Sequence, residues 1–351
     1  MNRIFTENSS ERECGIFRIL VLTPSWLGDA VMSLSFFQNL RELFPDAFIG
    51  AACSEYVSEI YENRTEINQI VRYSKGGLKN KISLIRRLRS RGRWEICFLL
   101  SPSFSSALTV FLSGAKRRIG YGTDSRSLLL TDVIDKTYYK KGHILDVHRR
   151  LIELTRENVN KKEYTPSIEP PGNWKDIIES KGIKGEYAVF SAGASYGPAK
   201  LWPAENYSKL SELLRENKGL NVVTVGVSRE REYLNSIIDR DKGSGINLAG
   251  KCDLKELTAI LKGADVVIGN DSGPIHLSSA LGVPTVAIFG STSPLWTGPR
   301  GKRSRIVNSN IKCSPCFKRE CPLYDQARCF DDILIDDVYE VACEVMSAQQ
   351  D

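Results

Sequence analysis

Short apolar runs rich in Val, Ile and Ala alternate along this chain with longer amphipathic stretches. Apolar runs of this length fit buried strands, and amphipathic stretches fit helices that pack on them, so the alternation predicts parallel α/β units. In the first half we predict strands at 17–22, 47–53 and 95–100, with helices at 29–44 and 83–91. In the second half we predict strands at 187–193, 221–227, 265–270 and 284–290, and helices at 206–217, 229–240, 254–263, 274–282 and 336–348.

The length of 351 residues suits two domains of ordinary size. The segment YTPSIEPPGNW at 164–174 is rich in Pro and polar residues, which is typical of a linker. We therefore expect two doubly wound, Rossmann-like domains, one over 1–170 and one over 171–351, that face each other across a central cleft. The final helix could also pack back on the N-terminal domain. In open parallel sheets ligands bind beyond the carboxyl ends of the strands, so those loops should carry the chemistry.

Charge is spread unevenly along the chain. Residues 1–170 hold 26 Lys and Arg against 19 Asp and Glu, whereas the remainder holds 22 against 23. Between residues 72 and 126, thirteen basic residues face two acidic ones. For each Arg a solvated helix face is the simpler explanation, but the concentration indicates an anionic partner: nucleic acid, an acidic membrane surface or a phosphorylated glycolipid.

The chain shows no signal for membrane insertion or secretion. It has no run of about eighteen apolar residues, the length that spans a bilayer. The first fifteen residues, MNRIFTENSSERECG, lack the apolar stretch of a signal peptide. These features predict a cytoplasmic location with reduced cysteines.

The first predicted strand runs into the loop TPSWLGD at 23–29 and then into a helix. Asp29 at this position could act as a general base that takes a proton from an attacking hydroxyl. Its alternative role is a helix N-cap, which Asp often fills. Neither GxGxxG nor GxxxxGK[ST] is present, so the loop is not a standard dinucleotide or P-loop motif.

Two loops of the second half could bind phosphate. The stretch ASYGPAKLWP at 194–203 follows a strand and holds Lys200, which fits diphosphate binding, although an exposed lysine beside a packing Trp fits equally. In GNDSGPIH at 269–276 a strand ends and a helix begins with free amides. Here Ser272 and Gly273 could donate to phosphate and Asp271 could meet sugar hydroxyls. Alternatively, Asp271 or Ser272 caps the helix and His276 is a buried, hydrogen-bonded side chain.

Four cysteines lie close together near the C-terminus, at Cys313, Cys316, Cys321 and Cys329. Their spacing is compatible with a structural zinc or with a labile disulfide pair. A catalytic metal does not fit four thiolates, because they leave no open coordination position. The single D-x-D, at 239–241, falls at a predicted helix end, so we expect no metal site for a sugar nucleotide and no cofactor for catalysis.

The motifs together resemble one family, the ADP-heptose:lipopolysaccharide heptosyltransferases of glycosyltransferase family 9, which have the GT-B fold. The resemblance covers nearly the whole chain from about Arg18. Within the family, the segment GPAKLWP is most similar to that of heptosyltransferase II. The segments that show the resemblance to the family are PSWLGDAVMS (24–33), GASYGPAKLWP (193–203), NLAGKCDLKEL (247–257), NDSGPIHLSSALGVPTVAIFGSTSP (270–294) and CSPCFKRECP (313–322).

The resemblance implies roles for individual positions. Asp29 matches the general base of an inverting, single-displacement transfer, and Lys200 matches the lysine that contacts the diphosphate. Ser195 and Tyr196 lie in the loop over the phosphates, and Asp271, Ser272 and Gly273 match the donor-binding turn, with His276 behind it. The acceptor candidates are Arg117, Arg118 and Arg126.

These matches lead to a functional prediction. We expect a transferase that moves heptose from ADP-heptose to the heptosyl-Kdo-lipid A core, with peripheral contact to the cytoplasmic face of the inner membrane and no nucleic-acid partner. The alternatives are another nucleotide-sugar-dependent core transferase, such as the enzyme of the first heptosyl step, and a non-catalytic nucleotide-sugar-binding protein. Glu230 and Glu232 follow a strand end and are candidates for ribose contacts.

Overall fold

The computed structural model describes residues 17–155, 163–240, 245–323 and 327–348. They form two domains, each built on a six-stranded parallel sheet with helices on its faces. Within these residues no helix is both long and apolar enough to cross a bilayer.

The N-terminal sheet has the order β3-β2-β1-β4-β5-β6. The chain continues from β1 to β2 on one side and later returns to β4 on the other side of β1. The strand order therefore reverses at β1, which creates the crevice where ligands of such sheets bind. The strands are β1 (Arg18–Leu22), β2 (Phe48–Ser54), β3 (Gln69–Tyr73), β4 (Ile96–Leu99), β5 (Arg117–Tyr121) and β6 (Asp132–Ile134). The helices are α1 (Leu27–Met32), α2 (Leu34–Leu43), α3 (Leu78–Ser90), α4 (Phe104–Ser113) and α5 (Ile144–Glu153).

The C-terminal sheet repeats this topology, with the order β12-β11-β10-β7-β8-β9 and its switch point between β7 and β10. The strands are β7 (Tyr187–Ser191), β8 (Asn221–Thr224), β9 (Ile246–Asn247), β10 (Val266–Asn270), β11 (Thr285–Phe289) and β12 (Ser304–Asn308). The helices are α6 (Trp174–Ser180), α7 (Ala204–Lys218), α8 (Arg231–Arg240), α9 (Leu254–Lys262), α10 (Gly273–Ala280), α11 (Pro294–Thr297) and α12 (Ile335–Ser347).

The central strands are buried on both faces, which explains why they appear in the sequence as continuous apolar runs. One hydrophobic cluster continues from the N-terminal domain into the C-terminal domain, because Leu27, Ala30 and Val31 of α1 pack with Ile275 and Leu277 of α10. The two domains therefore share apolar packing at the base of the cleft.

Glycines allow α1 and α10 to approach each other closely. A Cβ atom on Gly28 would stand 2.6 Å from Cδ2 of His276, and one on Gly273 would stand 2.8 Å from Cβ of Leu27. A second contact joins the domains, with Nε2 of His143 lying 2.9 Å from the carbonyl oxygen of Gly298. The two domains are thus in direct contact at both places.

All seven strands predicted from the sequence are present, within three residues of the expected bounds. The predicted helix at 29–44 is instead two helices that meet at Ser33. The Ser33 hydroxyl donates to the carbonyl of Ala30 and lies 3.0 Å from the Tyr61 hydroxyl, contacts that compete with a continuous helix. The edge strands β3, β6, β9 and β12 were not predicted, since they are short or carry polar residues, and neither was the interior strand β5, which begins with two arginines.

The final helix does not pack back on the N-terminal domain, which the sequence analysis had left open. It packs on α7 and on strands β10 to β12 of the C-terminal sheet. Its apolar stripe of Val338, Ala342 and Val345 is buried in the cluster that also holds Phe190 and Trp202. This face of the C-terminal sheet would otherwise be uncovered, so the helix stays in its own domain.

Candidate active site

Asp29 lies just beyond the carboxyl end of β1, at the switch point of the N-terminal sheet. Helix α1 begins at Leu27, and its N-cap is Trp26, which makes no side-chain capping bond. Asp29 is the third residue of the helix, so the alternative role of an N-cap is not adopted. Its half-buried carboxyl group faces α10 of the other domain across the cleft.

The surroundings of Asp29 suit a base that works near neutral pH. Burial raises the pKa of Asp29 to about 6; the charge of His276 opposes this rise, Asp271 adds to it, and Lys200 opposes it. A helix N-terminus favours an ionised carboxylate and so lowers its pKa, but the effect of burial is larger here. A carboxylate with this pKa is a stronger base than an exposed one and is still mostly ionised at pH 7.

Asp271 is the centre of a polar cluster in the C-terminal domain. Its Oδ2 accepts from Nζ of Lys200 at 2.5 Å and from Oγ1 of Thr292 at 2.8 Å, and its Oδ1 lies 3.5 Å from Nε2 of His276. Lys200 also donates to the Asp271 backbone carbonyl at 3.1 Å. Asp271 therefore does not cap α10, and the lysine is not a free loop residue.

Electrostatics keep the Asp271 carboxyl group ionised. Burial by itself would raise the pKa of Asp271, but the hydrogen bond from His276 and the charge and hydrogen bond of Lys200 hold it well below its usual range. The outcome is a carboxylate and an ammonium held together out of bulk water. Such a pair is costly to assemble, which favours a functional role over a purely stabilising one.

Ser272 and Gly273 begin α10 and have no acceptors for their amides within the helix. The Ser272 side chain makes no capping bond, and its hydroxyl lies 2.9 Å from that of Ser191 at the end of β7. Pro274 follows and has no N–H, so it cannot donate to an anion at this helix start. The available donors at this helix start are the amides of Ser272 and Gly273 and the Ser272 hydroxyl.

The lysine loop is supported by the segment that carries the cysteines. Nζ of Lys200 lies 5.0 Å from the centre of the Tyr196 ring, and the Tyr196 hydroxyl donates to the carbonyl of Phe317 at 2.8 Å. The amide of Ala199 donates to the carbonyl of Arg319 at 3.0 Å. The Tyr196 ring thus packs beside the ammonium of Lys200, and the 313–322 segment holds the lysine loop in place.

Glu230 joins the donor side of the site. Cβ atoms on Gly193 and Gly226 would stand 2.3 Å and 2.6 Å from its carboxylate, which accepts from the Val227 amide and lies 3.5 Å from the Ser195 hydroxyl. Glu232, one residue into α8, is exposed. Of the two ribose candidates, only Glu230 adjoins the loops that carry Ser195 and Lys200.

Asn270 is a site residue that the sequence analysis missed. It is fully buried at the end of β10, where its side-chain oxygen accepts from the Trp202 amide and the Tyr207 hydroxyl, and its amide donates to the carbonyl of Ala192. These bonds fix the lysine loop relative to Asp271. A polar side chain at the end of an apolar strand was the available signal.

Trp26 was also missed. Its side chain is 56% exposed at the start of α1, three residues before Asp29, and Nζ of Lys75 lies 5.6 Å from its ring. An exposed indole beside a cleft provides a flat apolar surface for a sugar ring.

The three candidate acceptor arginines are bound by the protein itself. Arg117 pairs with Asp132 at 2.6 Å, and Arg118 donates to the carbonyls of Ala115 and Leu129. Arg126 is buried and donates to the carbonyls of Ser101 and Tyr121. The contact of these arginines with the acceptor stays a prediction.

The described residues do not support the zinc site considered from the cysteine spacing. Within 17–155, 163–240, 245–323 and 327–348, no three His, Cys, Asp or Glu side chains are grouped to hold a metal. Cys329 is buried beneath the C-terminal core, whereas Cys313 is exposed and Cys316 and Cys321 are partly exposed. Burial raises the pKa of Cys329, and the thiols of Cys313, Cys316 and Cys321 lie close enough to add to that rise, but the described residues show no metal site there.

Comparisons with known proteins show the family of this chain. Residues 81–326 match the model of glycosyltransferase family 9 (heptosyltransferase). Lipopolysaccharide heptosyltransferase 2 of Escherichia coli K12 is 28% identical over 83% of this chain and 87% of its own length. Lipooligosaccharide heptosyltransferase 2 of Campylobacter jejuni is 29% identical over 93% of this chain and 97% of its own.

The fold likewise matches a solved structure. The ADP-heptose LPS heptosyltransferase II of E. coli superposes with a TM-score of 0.80 at 24% identity, over 94% of this chain and 98% of that one. This likeness confirms the predicted GT-B fold, and the family model covers well over half of the chain. The chain therefore belongs to glycosyltransferase family 9, the heptosyltransferase family, and is a glycosyltransferase.

Proposed function

We propose that this enzyme transfers a heptose from ADP-heptose to the heptosyl-Kdo-lipid A inner core of lipopolysaccharide, adding the second heptose. The proposal rests on one observation: Asp29 of the N-terminal domain lies close to the Lys200–Asp271–His276 cluster of the C-terminal domain. A base on one side of a cleft and phosphate-binding groups on the other are what a single-displacement glycosyl transfer needs. The names of the relatives support the choice of donor and step.

In the proposed mechanism Asp29 acts on the acceptor. Its carboxylate removes the proton from an acceptor hydroxyl while that oxygen attacks the anomeric carbon of the donor heptose. The bond between the anomeric carbon and the β-phosphate oxygen breaks, and the electron pair leaves with ADP. Attack from the side opposite the leaving group inverts the configuration at that carbon.

Charge that develops on ADP is stabilised by the C-terminal domain. Lys200 presents its ammonium from a loop braced by Tyr196, and the amides of Ser272 and Gly273 point from the start of α10. In the structure the ammonium is paired with Asp271, so the bound diphosphate would share it with that carboxylate. Asp271 and Thr292 then orient Lys200, and Glu230 and Ser195 contact the ribose.

We further propose that the protein works at the cytoplasmic face of the inner membrane, attached peripherally, because its proposed acceptor is anchored there by lipid A. A structural zinc has no support in the described residues, and catalysis as proposed needs no metal. Lys200 and the α10 amides supply the positive charge that a metal ion supplies in other nucleotide-sugar enzymes.

The test is an assay with purified protein, ADP-heptose and lipid A-Kdo cores that bear zero, one or two heptoses, with products identified by mass. Addition to the one-heptose core alone is the expected result. Addition to the core without heptose would reassign the enzyme to the first step. Failure with every core would refute the acceptor, and failure to bind ADP-heptose in calorimetry would refute the donor.

A further inference from the structure

Helix α4 carries an apolar stripe on its outer face. Phe104, Leu108, Phe111 and Leu112 are 38–45% exposed and follow one another at helical spacing. The opposite face of the same helix buries Ala107 and Val110 against the sheet. Scattered exposed apolar residues are ordinary, but four on one helix face make a continuous patch, which marks an interaction site.

A basic helix lies directly beside this stripe. Helix α3 packs against α4, and Nε of Arg89 donates to the carbonyl of Leu112 at 2.7 Å, which joins their C-terminal ends. Helix α3 contains no acidic residue. Its five basic residues are Lys79, Lys81, Arg86, Arg87 and Arg89. On the other side of the stripe, the Arg118 guanidinium lies 5.3 Å from the centre of the Phe111 ring.

We infer that the α3–α4 face, defined by the apolar stripe and the basic residues of α3, is the surface by which the enzyme docks on a membrane with anionic lipid headgroups. A membrane surface has a layer of anionic headgroups above a layer of acyl chains. The Lys and Arg side chains would contact the headgroups, and the apolar stripe would contact the acyl chains. A second copy of this chain fits poorly, because an isologous contact would bring the two basic helices together.

The position of the face agrees with a lipid-anchored acceptor, and to that extent the inference rests on the proposed function. Phe104 begins α4 at the carboxyl edge of β4, where its amide donates to Asp124 in the loop after β5. The loop that leads to α1 and Asp29 leaves β1 at the same edge of this parallel sheet. A membrane bound along α4 would therefore border the cleft on its acceptor side.

Vesicle cosedimentation, without donor or acceptor, tests the docking surface separately from catalysis. The probes are vesicles of phosphatidylethanolamine with phosphatidylglycerol and vesicles of phosphatidylcholine alone. Wild-type protein should bind the anionic vesicles, and binding should weaken as salt is raised. No binding to anionic vesicles would overturn the inference.

Two pairs of substitutions separate the apolar and basic contributions. Lys81→Glu/Arg86→Glu should weaken binding by about 25-fold or more, since each basic residue at an anionic surface contributes about fivefold. Leu108→Ser/Phe111→Ser should weaken it by about tenfold or more. The matched controls in the C-terminal domain, Lys184→Glu/Lys218→Glu and Leu334→Ser, change exposed residues of the same kinds and should bind as wild type.

Activity on a deacylated, soluble acceptor shows whether each variant is folded. Both α3–α4 variants should keep wild-type turnover there and lose it on acceptor embedded in vesicles. Equal vesicle binding by the variants and controls would overturn the inference, as would a wild-type dimer that the Leu108→Ser/Phe111→Ser change dissociates. If wild type binds anionic vesicles through this face but acts on no soluble acceptor, the proposed function fails and the docking surface stands.

Discussion

Gly28 and His276 touch across the cleft: a Cβ atom on Gly28 would stand 2.6 Å from Cδ2 of the imidazole. Gly28 is the neighbour of Asp29 in α1, and His276 lies in α10 beside Asp271. The two domains therefore pack tightly beside the candidate catalytic groups, and the distance between the candidate base and the candidate phosphate site depends on a residue without a side chain.

We predict that Gly28→Ala lowers kcat strongly without unfolding the protein. The added methyl group must push α1 away from α10, and a displacement of about 1 Å at reacting groups can cost about 100-fold in rate. The measurement is steady-state kinetics together with the denaturation midpoint. Gly172→Ala is the matched control, because its Cβ meets no atom within 4 Å and its kinetics should be unchanged. Wild-type kcat in Gly28→Ala would refute the requirement for this contact.

The pH dependence of kcat/KM should show an acidic limb at about pH 6. Asp29 must be ionised to accept a proton, and burial raises its pKa to about 6, so activity should fall about tenfold per pH unit below that value. Asp271 contributes no limb in this range, since its pKa lies well below the usual value. A profile that stays flat down to pH 5 would contradict Asp29 as the base.

Asp29→Asn should lose activity and gain stability. Loss of a general base costs about 100- to 10,000-fold in kcat. In the folded state the pKa of Asp29 is raised from 3.8, so its protonated form is favoured there and its contribution to stability is lost as pH rises through about 6. Replacing it by neutral Asn should add on the order of 2 kcal/mol to the free energy of unfolding at pH 7.5. Urea denaturation at pH 7.5 and pH 5 measures this gain, which should shrink at the lower pH.

Lys200 and Asp271 should behave as a coupled pair. Lys200→Met is expected to lower kcat by at least about 100-fold and to destabilise the fold by about 2–4 kcal/mol, because it leaves Asp271 ionised and buried without its cation. Lys200→Met/Asp271→Asn should recover much of the stability but none of the activity. A double-mutant cycle by urea denaturation measures the coupling, and additive losses of stability would show that the pair does not interact.

His148 should make the N-terminal domain sensitive to acid. It is buried near Phe36, its Nδ1 has no hydrogen-bond partner among the described residues, and burial lowers its pKa from 6.5 to about 3. As pH falls, the imidazole of His148 is therefore protonated in the unfolded chain before it is protonated in the folded one. The free energy of unfolding should decrease as pH drops below 6.5, by roughly 3 kcal/mol at pH 4. His148→Phe should reduce that loss. An unchanged loss would assign the acid sensitivity to other groups, such as His143, whose pKa burial lowers to about 4.

The sequence by itself determined the layered α/β architecture and its central strands, because apolar runs such as 187–193 and 265–270 have few alternatives to burial within a parallel sheet. It also indicated Asp29, Lys200 and Asp271, since loops after parallel strands all reach the same edge. It could not locate β5, which begins with two arginines, or the edge strand β12, because the pairing of both depends on neighbouring strands.

Only the tertiary structure decided what those loop residues do. The raised pKa of Asp29 comes from burial. The ionised state of Asp271 comes from the hydrogen bond of His276 and from Lys200, which is 71 residues distant in the chain. Asn270 became a site residue through bonds to Trp202 and Tyr207, which no local pattern encodes. In the sequence, α4 has the pattern of a buried helix. Only its position on the outside of the sheet showed that its apolar stripe has no protein partner within the described residues.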